Sequence, residues 1–242
     1  MTKVVIVFNS APNSGKDVAA KFLRDYFRTG QIMSFKDALY EDVSDYFGIS
    51  SEALIKQHGN RQLKELPSAM FPKFKYFSFK RYFFSYLAML GVMFNNKYLM
   101  ELGYYSSRKA LIHVSESVIK PVKGLGYYGN ILAEKIEKSE GRYFFISDGG
   151  YKEEILPILD KGFLTCIVQL ERSGATFDGD SRSLLNKDDF KEYNNIKFCQ
   201  IDNNGSLDDL YNYIVDLSYD IVLDEVKERY GGDKDDYQII HI

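Results

Sequence analysis

The chain has 242 residues, 45% of them hydrophobic and 27% charged, with 5 prolines and a formal net charge of −3. That length suits one core, or one core carrying an insertion, and the composition excludes a disordered or fibrous chain. The small negative charge supplies no global field for holding DNA or RNA, so a phosphate site has to be locally basic, which favours a small nucleotide over a long polyanion.

No apolar run approaches the roughly 20 residues that span a bilayer, and the opening apolar stretch is too short for a secretion signal. The expectation is a cytoplasmic chain with no membrane partner. Cys166 and Cys199 sit in apolar runs and read as reduced core residues.

Residues 3–8 (Lys-Val-Val-Ile-Val-Phe) form a β-branched run ended by Asn9-Ser10 and Pro12, the pattern of a strand buried on both faces of a parallel sheet. Residues 16–27 follow as a helix, with Val18, Phe22, Leu23 and Tyr26 at helical spacing and Thr29-Gly30 as its stop. A short strand over 31–35 and a helix over 36–47 come next. From 51 to 138 strand signals nearly vanish and helical patterns dominate, so this stretch reads as a helical insertion; the period over 70–84 is ambiguous. Within it, 106–120 is one clear helix, capped by Ser and stopped by Pro121, and 128–138 is another.

The α/β alternation returns with a strand over 143–147, a helix over 152–159 and a strand over 164–170. A polar Gly/Ser/Asp-rich segment, 171–189, has the character of a mobile loop. A strand over 196–201, helix over 206–230 and tail over 231–242 complete the chain. Strands near both ends, each followed by a helix, predict an α/β fold: a mostly parallel sheet wrapped by helices, with its ligands at the carboxyl ends of the strands.

The strongest motif lies after the first strand. In Gly-x4-Gly-Lys-Ser/Thr, small residues let backbone N–H groups curl around phosphates while the lysine reaches the β and γ oxygens. Here Ser10, Asn13, Ser14, Gly15, Lys16 and Asp17 occupy that segment, with Ser10 in place of the first glycine and Asp17 in place of the hydroxyl residue. Strand, tight loop and helix start are the context such a loop needs. Asp17 can hold Mg²⁺ or one of its waters, at the cost of repulsion toward phosphate that Lys16 and nearby arginines offset.

Other candidates each carry a plainer alternative. Asp148 follows the strand at 143–147 and precedes Gly149-Gly150, which suits an acceptor or Mg²⁺ contact, or a simple turn. Arg108 is a candidate for an acceptor phosphate. His113 and Glu116, three residues apart, are candidates for its base, although Glu116 with Lys120 is also an ordinary helix-surface pair. The aromatic and basic run 71–84 can stack on single-stranded nucleic acid, or simply be core with snorkelling lysines.

Taken together, Ser14-Gly15-Lys16-Asp17, Phe35-Lys36-Asp37-Ala38-Leu39, Arg61 with Lys64-Glu65, Ser147-Asp148-Gly149-Gly150-Tyr151, Leu170-Glu171-Arg172-Ser173-Gly174 and Asp202-Asn203-Asn204-Gly205-Ser206-Leu207 resemble, in kind and order, bacteriophage-type deoxynucleoside monophosphate kinases. These are adenylate-kinase-like P-loop enzymes. The resemblance spans residues 4–210 and is weakest over 70–105. It implies one kinase domain with a helical acceptor-binding insertion and a lid loop over 172–190, using ATP and Mg²⁺. By that resemblance Lys16, Arg172, Arg182 and Asp148 are catalytic, Asp17 and Asp148 hold the metal, and Asn203 borders the donor adenine. Lys36, Asp37, Arg61, Arg108, His113, Glu116, Asp148 and Tyr151 line the acceptor site.

The expected activity is transfer of the γ-phosphate of ATP to a deoxynucleoside monophosphate. A kinase acting on a modified base or end of DNA, and a non-catalytic nucleotide-binding module, are the competing expectations. The aromatic insertion and the long C-terminal helix offer surfaces for a homodimer.

Overall fold

The residues of β1 (Val4–Phe8) are buried without exception, and their alternation divides the core in two. Val4, Ile6 and Phe8 pack with Ala19, Ala20 and Leu23 of α1 (Lys16–Tyr26) and with Leu210, Ile214 and Leu217 of α10 (Leu207–Tyr230). Val5 and Val7 face the other way, onto Leu132, Ala133 and Ile136 of α8 (Tyr127–Lys138) and Ile155 and Ile158 of α9 (Lys152–Asp160). A continuous apolar run is therefore what this strand requires.

The structure is a computed structural model and describes residues 2–28, 30–74, 79–178 and 182–230, with the side chains of 79–81 and 222–230 outside that description. The predicted tail, Thr29 and part of the predicted lid lie outside the described residues. The chain is α/β and divides into two compact units, Met1–Phe35 with Gly129–Ile242, and Lys36–Tyr128.

In the first unit β2 (Gln31–Met33), β5 (Tyr143–Ile146), β1, β6 (Leu164–Glu171) and β7 (Ile196–Asp202) form one sheet in the order β2-β5-β1-β6-β7. Its described pairings are all parallel, with Ile6 level with Phe145 on one side and Cys166 on the other. From β1 the chain runs through α1 to β2 on one side, and later supplies β6 and β7 on the other. The carboxyl end of β1 is thus a switch point of the sheet. Both cysteines are free thiols, Cys166 buried and Cys199 partly so.

The second unit holds α2 (Lys36–Phe47), α3 (Ser51–Gly59), α4 (Phe79–Met93), α5 (Lys97–Gly103), α6 (Ser107–His113) and α7 (Lys120–Lys123). Val43, Leu54, Phe71, Ala110, Leu111 and Val114 make its core. It begins at the second predicted helix, earlier than position 51. Two features differ from the sequence reading. First, β3 (Pro67–Pro72) and β4 (Tyr104–Ser106) form an irregular antiparallel ribbon. A proline at each end of β3 masks the strand in sequence, and prolines are tolerated there because strand ends do not need every ladder donor.

Second, the helix predicted over 106–120 is not uniform. After α6 a π-helical segment, Val114–Ile119, intervenes, and α7 continues past Pro121. Pro121 does not stop the helix because it falls in the first turn after the wide segment, where its missing N–H is not needed. No helix among the described residues is long and apolar enough to cross a membrane.

Ile6 is fully buried between two sheet neighbours and the α1 and α10 face. Ile6→Ala is expected to lower unfolding free energy by about 2–5 kcal/mol, measured by urea denaturation.

Candidate functional site

The loop at 9–15 leaves β1 at the switch point and turns directly into α1. Two residues adopt left-handed backbone, Asn13 at φ 66° and Gly15 at φ 100°. Gly15 is the residue before α1, and its carbonyl accepts from Val18 and Ala19 N–H at 3.0 Å each. A β-carbon there would stand 2.6 Å from Asn203 Nδ2, so position and dihedral both demand glycine.

Three polar bonds fix the loop to the sheet. Ser10 Oγ accepts from the Leu170 N–H of β6 at 2.5 Å. The serine that departs from the usual glycine thus ties loop to strand. Asn203 Nδ2 donates to Ser14 O at 2.7 Å, and its own N–H donates to Glu171 O at 2.8 Å. Lys16 is buried, and its Nζ donates to Ser10 O at 2.9 Å and Ala11 O at 2.7 Å, placing the ammonium inside the curl of the loop.

The Ser14 hydroxyl is fully buried with no hydrogen-bond partner among the described residues. Leaving a buried hydroxyl unsatisfied costs about 1–3 kcal/mol. A phosphate oxygen is the kind of group that would satisfy it here, beside an ammonium and the start of a helix whose first N–H groups lack intrahelical acceptors. Asp17 stands exposed in the first turn of α1. Among the described residues no three metal-ligating side chains cluster; a nucleotide's magnesium needs only one or two carboxylates beside phosphates and water.

Asp148, at the carboxyl end of β5, is buried, and both its oxygens accept hydrogen bonds: Oδ2 from Ser34 Oγ at 2.5 Å, Oδ1 from Phe35 N–H at 3.2 Å. These bonds anchor the exit from β2. Gly149 lies against Val7, where a β-carbon would come within 2.2 Å of Cγ1. Gly150 lies under Arg182, whose Cδ and Cγ would be 2.5 Å from any β-carbon there. Arg182 is thereby brought to the Asp148 turn. Arg172 is exposed just past β6, beside a turn in which Ser173 N–H donates to Asn204 Oδ1 at 2.7 Å. Tyr151 precedes α9, half-buried.

Asn9 is a residue that sequence reasoning missed. It is fully buried, and its Oδ1 accepts from Leu185 N–H at 2.7 Å and Gln169 Nε2 at 3.1 Å, while Nδ2 donates to Ser183 O at 2.9 Å and Gly149 O at 3.3 Å. Gln169 also donates to Leu185 O at 2.9 Å. The segment after Arg182, predicted as part of a mobile loop, is therefore fastened to β1 and β6. The available signal was an amide directly at the end of a buried strand, where a polar group must find partners.

The second unit has its own cluster. His58, at the end of α3, has Nδ1 3.3 Å from Ser107 Oγ, and that hydroxyl is 3.4 Å from Lys64 O. Arg108 Nη1 bonds Glu65 Oε1 at 3.0 Å. Burial, reinforced by the charges of Lys36, Lys64 and Arg108, lowers the His58 pKa to about 4. Lys36 and Arg108 thus meet around two residues, His58 and Lys64, that the sequence reading did not place in the site. Asp37 is exposed in the first turn of α2, and Arg61 is exposed in the turn after α3.

His113 stands in an aromatic stack, its ring centroid 5.0 Å from Tyr105 and 5.8 Å from Tyr46. Glu116, on the π-helical segment, bonds Ser115 Oγ at 3.0 Å and the buried Lys120 ammonium at 2.6 Å. In the aromatic and basic run, Phe71 is core, Phe74 stacks on Phe84 at 5.4 Å, and Lys73 Nζ donates to Glu101 O; residues 75–78 lie outside the described residues.

No protein-family model matches the chain, and no curated protein matches it.

The basic surroundings of His58 set a pH signature. The unfolded chain protonates this residue near 6.5 and the folded chain only near 4. Stability is thus full above about pH 6.5 and falls as pH drops toward 4. His58→Gln is expected to flatten that decline, measured by denaturant unfolding at pH 7 and pH 5.

Proposed function

We propose that the chain is a nucleotide kinase of the bacteriophage deoxynucleoside monophosphate type, moving the γ-phosphate of ATP to a deoxynucleoside monophosphate. The observation that carries this reading is the loop at 9–15: a buried, unpartnered Ser14 hydroxyl beside the enclosed Lys16 ammonium, on a curl that only Gly15 permits. That is the chemistry of a P-loop, at the switch point where such sheets bind ligands.

Phosphoryl transfer asks a protein mainly to position reactants and neutralise charge spreading over the transferred group. In this reading the loop N–H groups and Ser14 hold the donor phosphates, and Lys16 leaves the carbonyls of Ser10 and Ala11 for phosphate oxygens. Arg182, lying across Gly150, and Arg172, past β6, supply further positive charge. Mg²⁺, when bound with ATP, draws charge from the β and γ oxygens, and Asp17 is the loop carboxylate to hold it or its waters. Asp148, with both oxygens engaged by Ser34 and Phe35, shapes the sheet edge as well as offering charge. The turn at Asn203 borders the adenine.

An acceptor monophosphate fits the basic cluster of Lys36, Lys64 and Arg108, with Ser107 and His58 as neutral hydrogen-bonding groups. An acceptor phosphate oxygen attacks the γ-phosphorus, the bond to the ADP oxygen breaks, and no protein nucleophile is used.

The decisive experiment is ADP release from ATP over a panel of deoxy- and ribonucleoside monophosphates. Lys16→Ala is expected to lower kcat by about 10²–10³-fold with an unchanged far-UV spectrum; turnover near the unmodified rate in that variant removes the assignment. A dianion bound among Lys36, Lys64 and Arg108 also offsets the charges acting on His58. Addition of an accepted monophosphate is therefore expected to raise the His58 titration midpoint above about 4, read by NMR of the imidazole protons.

A further inference from the structure

Helix α4 is apolar on two opposite faces. Its inner face carries Ala88 and Gly91, both buried, and close approach to α5 consumes them: a β-carbon on Gly91 would lie 2.6 Å from the Met100 nitrogen, and one on Gly103 would lie 2.9 Å from the Ala88 β-carbon. The outer face carries Tyr82, Tyr86, Met89 and Met93, spaced four, three and four residues apart and so aligned in one stripe. Their exposure runs from 49% at Met89 to 68% at Met93. Phe94 and Tyr98, just beyond, are 72% and 82% exposed.

The outer face of a surface helix is ordinarily charged, and a helix apolar all round is a buried one. Residues 82–96 contain no charged side chain at all. This face calls for a cover.

The order of residues along the stripe points to what covers it. When two copies of α4 cross antiparallel about a two-fold axis, position 82 meets 93 of the other copy and 86 meets 89. Each contact then pairs a tyrosine ring with a methionine thioether, a favourable combination, and the interface is self-complementary as a two-fold interface must be. The absence of charge removes like-charge repulsion between copies. Six side chains of this size, half to four-fifths exposed, amount to roughly 600–800 Å² per copy at about 150–250 Å² for a whole aromatic side chain, close to the ~800 Å² per partner of a stable interface. A membrane surface or a nucleic acid fits less well, since both select helices with lysine or arginine along the contact.

We propose that the chain forms a two-fold dimer in which the α4 helices of two copies pack antiparallel through Tyr82, Tyr86, Met89 and Met93. Sedimentation velocity on the full chain tests it. The unmodified protein is expected at twice the 27.9 kDa chain mass. Met93→Glu and Tyr82→Lys, each alone, are expected to raise the dimer Kd by roughly 100-fold and to give monomer at micromolar concentration. The double variant, Tyr82→Lys with Met93→Glu, places opposite charges in contact across the axis and is expected to recover the dimer. That recovery also separates a lost interface from a lost fold, with circular dichroism followed in parallel. A monomeric unmodified chain, a dimer indifferent to both single changes, or a double variant that stays monomeric overturns the proposal. So does flotation of the unmodified chain as a monomer on phosphatidylcholine–phosphatidylserine vesicles.

Discussion

A parallel strand buried on both faces leaves its polar business to its ends, and β1 is such a strand. Its side chains are committed alternately to the α1 and α10 face and to the α8 and α9 face, so nothing along its length can bind or react. The loop at its carboxyl end carries the whole burden. Asn9 spreads four hydrogen bonds sideways to the Gly149 turn, to Gln169 and to the segment after Arg182. Ser10 reaches β6, and Ser14 is held by Asn203 from beyond the end of β7. The loop is thereby referenced to strands on both sides before any ligand arrives, the preorganisation that electrostatic catalysis depends on.

The legibility of the molecule in its sequence follows from the range of the forces involved. Elements set by local periodicity could be read: β1 from its unbroken β-branched run, α1 from the spacing of Val18, Phe22 and Tyr26, β6 from its apolar residues. Asp148 and the Gly-Lys pair were visible because turn residues directly follow a buried strand. Asn9 was not, because its importance lies in contacts with residues about 140 to 176 positions away. The basic cluster was half visible. Arg108 and Lys36 announce themselves by charge, whereas His58 acquires its character only from burial and from neighbours on other elements. The β3–β4 ribbon was hidden by prolines that propensity reads as breaks.

The two units use charge differently. The first encloses the Lys16 ammonium within backbone carbonyls, a dipolar cage from which the charge is released only to something more negative. The second gathers cations around an imidazole kept neutral by its burial and by their proximity. Both arrangements hold positive potential in place, and both are relieved by phosphate. The net charge of −3 over the chain gives no hint of this, since the cations that matter are defined by position and not by number.

The π-helical segment at Val114–Ile119 has a consequence for how the chain can change. A wide turn holds one residue more than an α-turn would, and each α-helical residue advances the helix by about 100°. The extra residue therefore acts as a phase shift, setting the direction in which Lys120 and all of α7 point while Val114 and Ser115 remain on the buried side. Many substitutions here would leave that phase intact. Removal of a single residue would regularise the helix and, in doing so, turn everything after it to a new face. At this place the length of the segment is under tighter constraint than its composition.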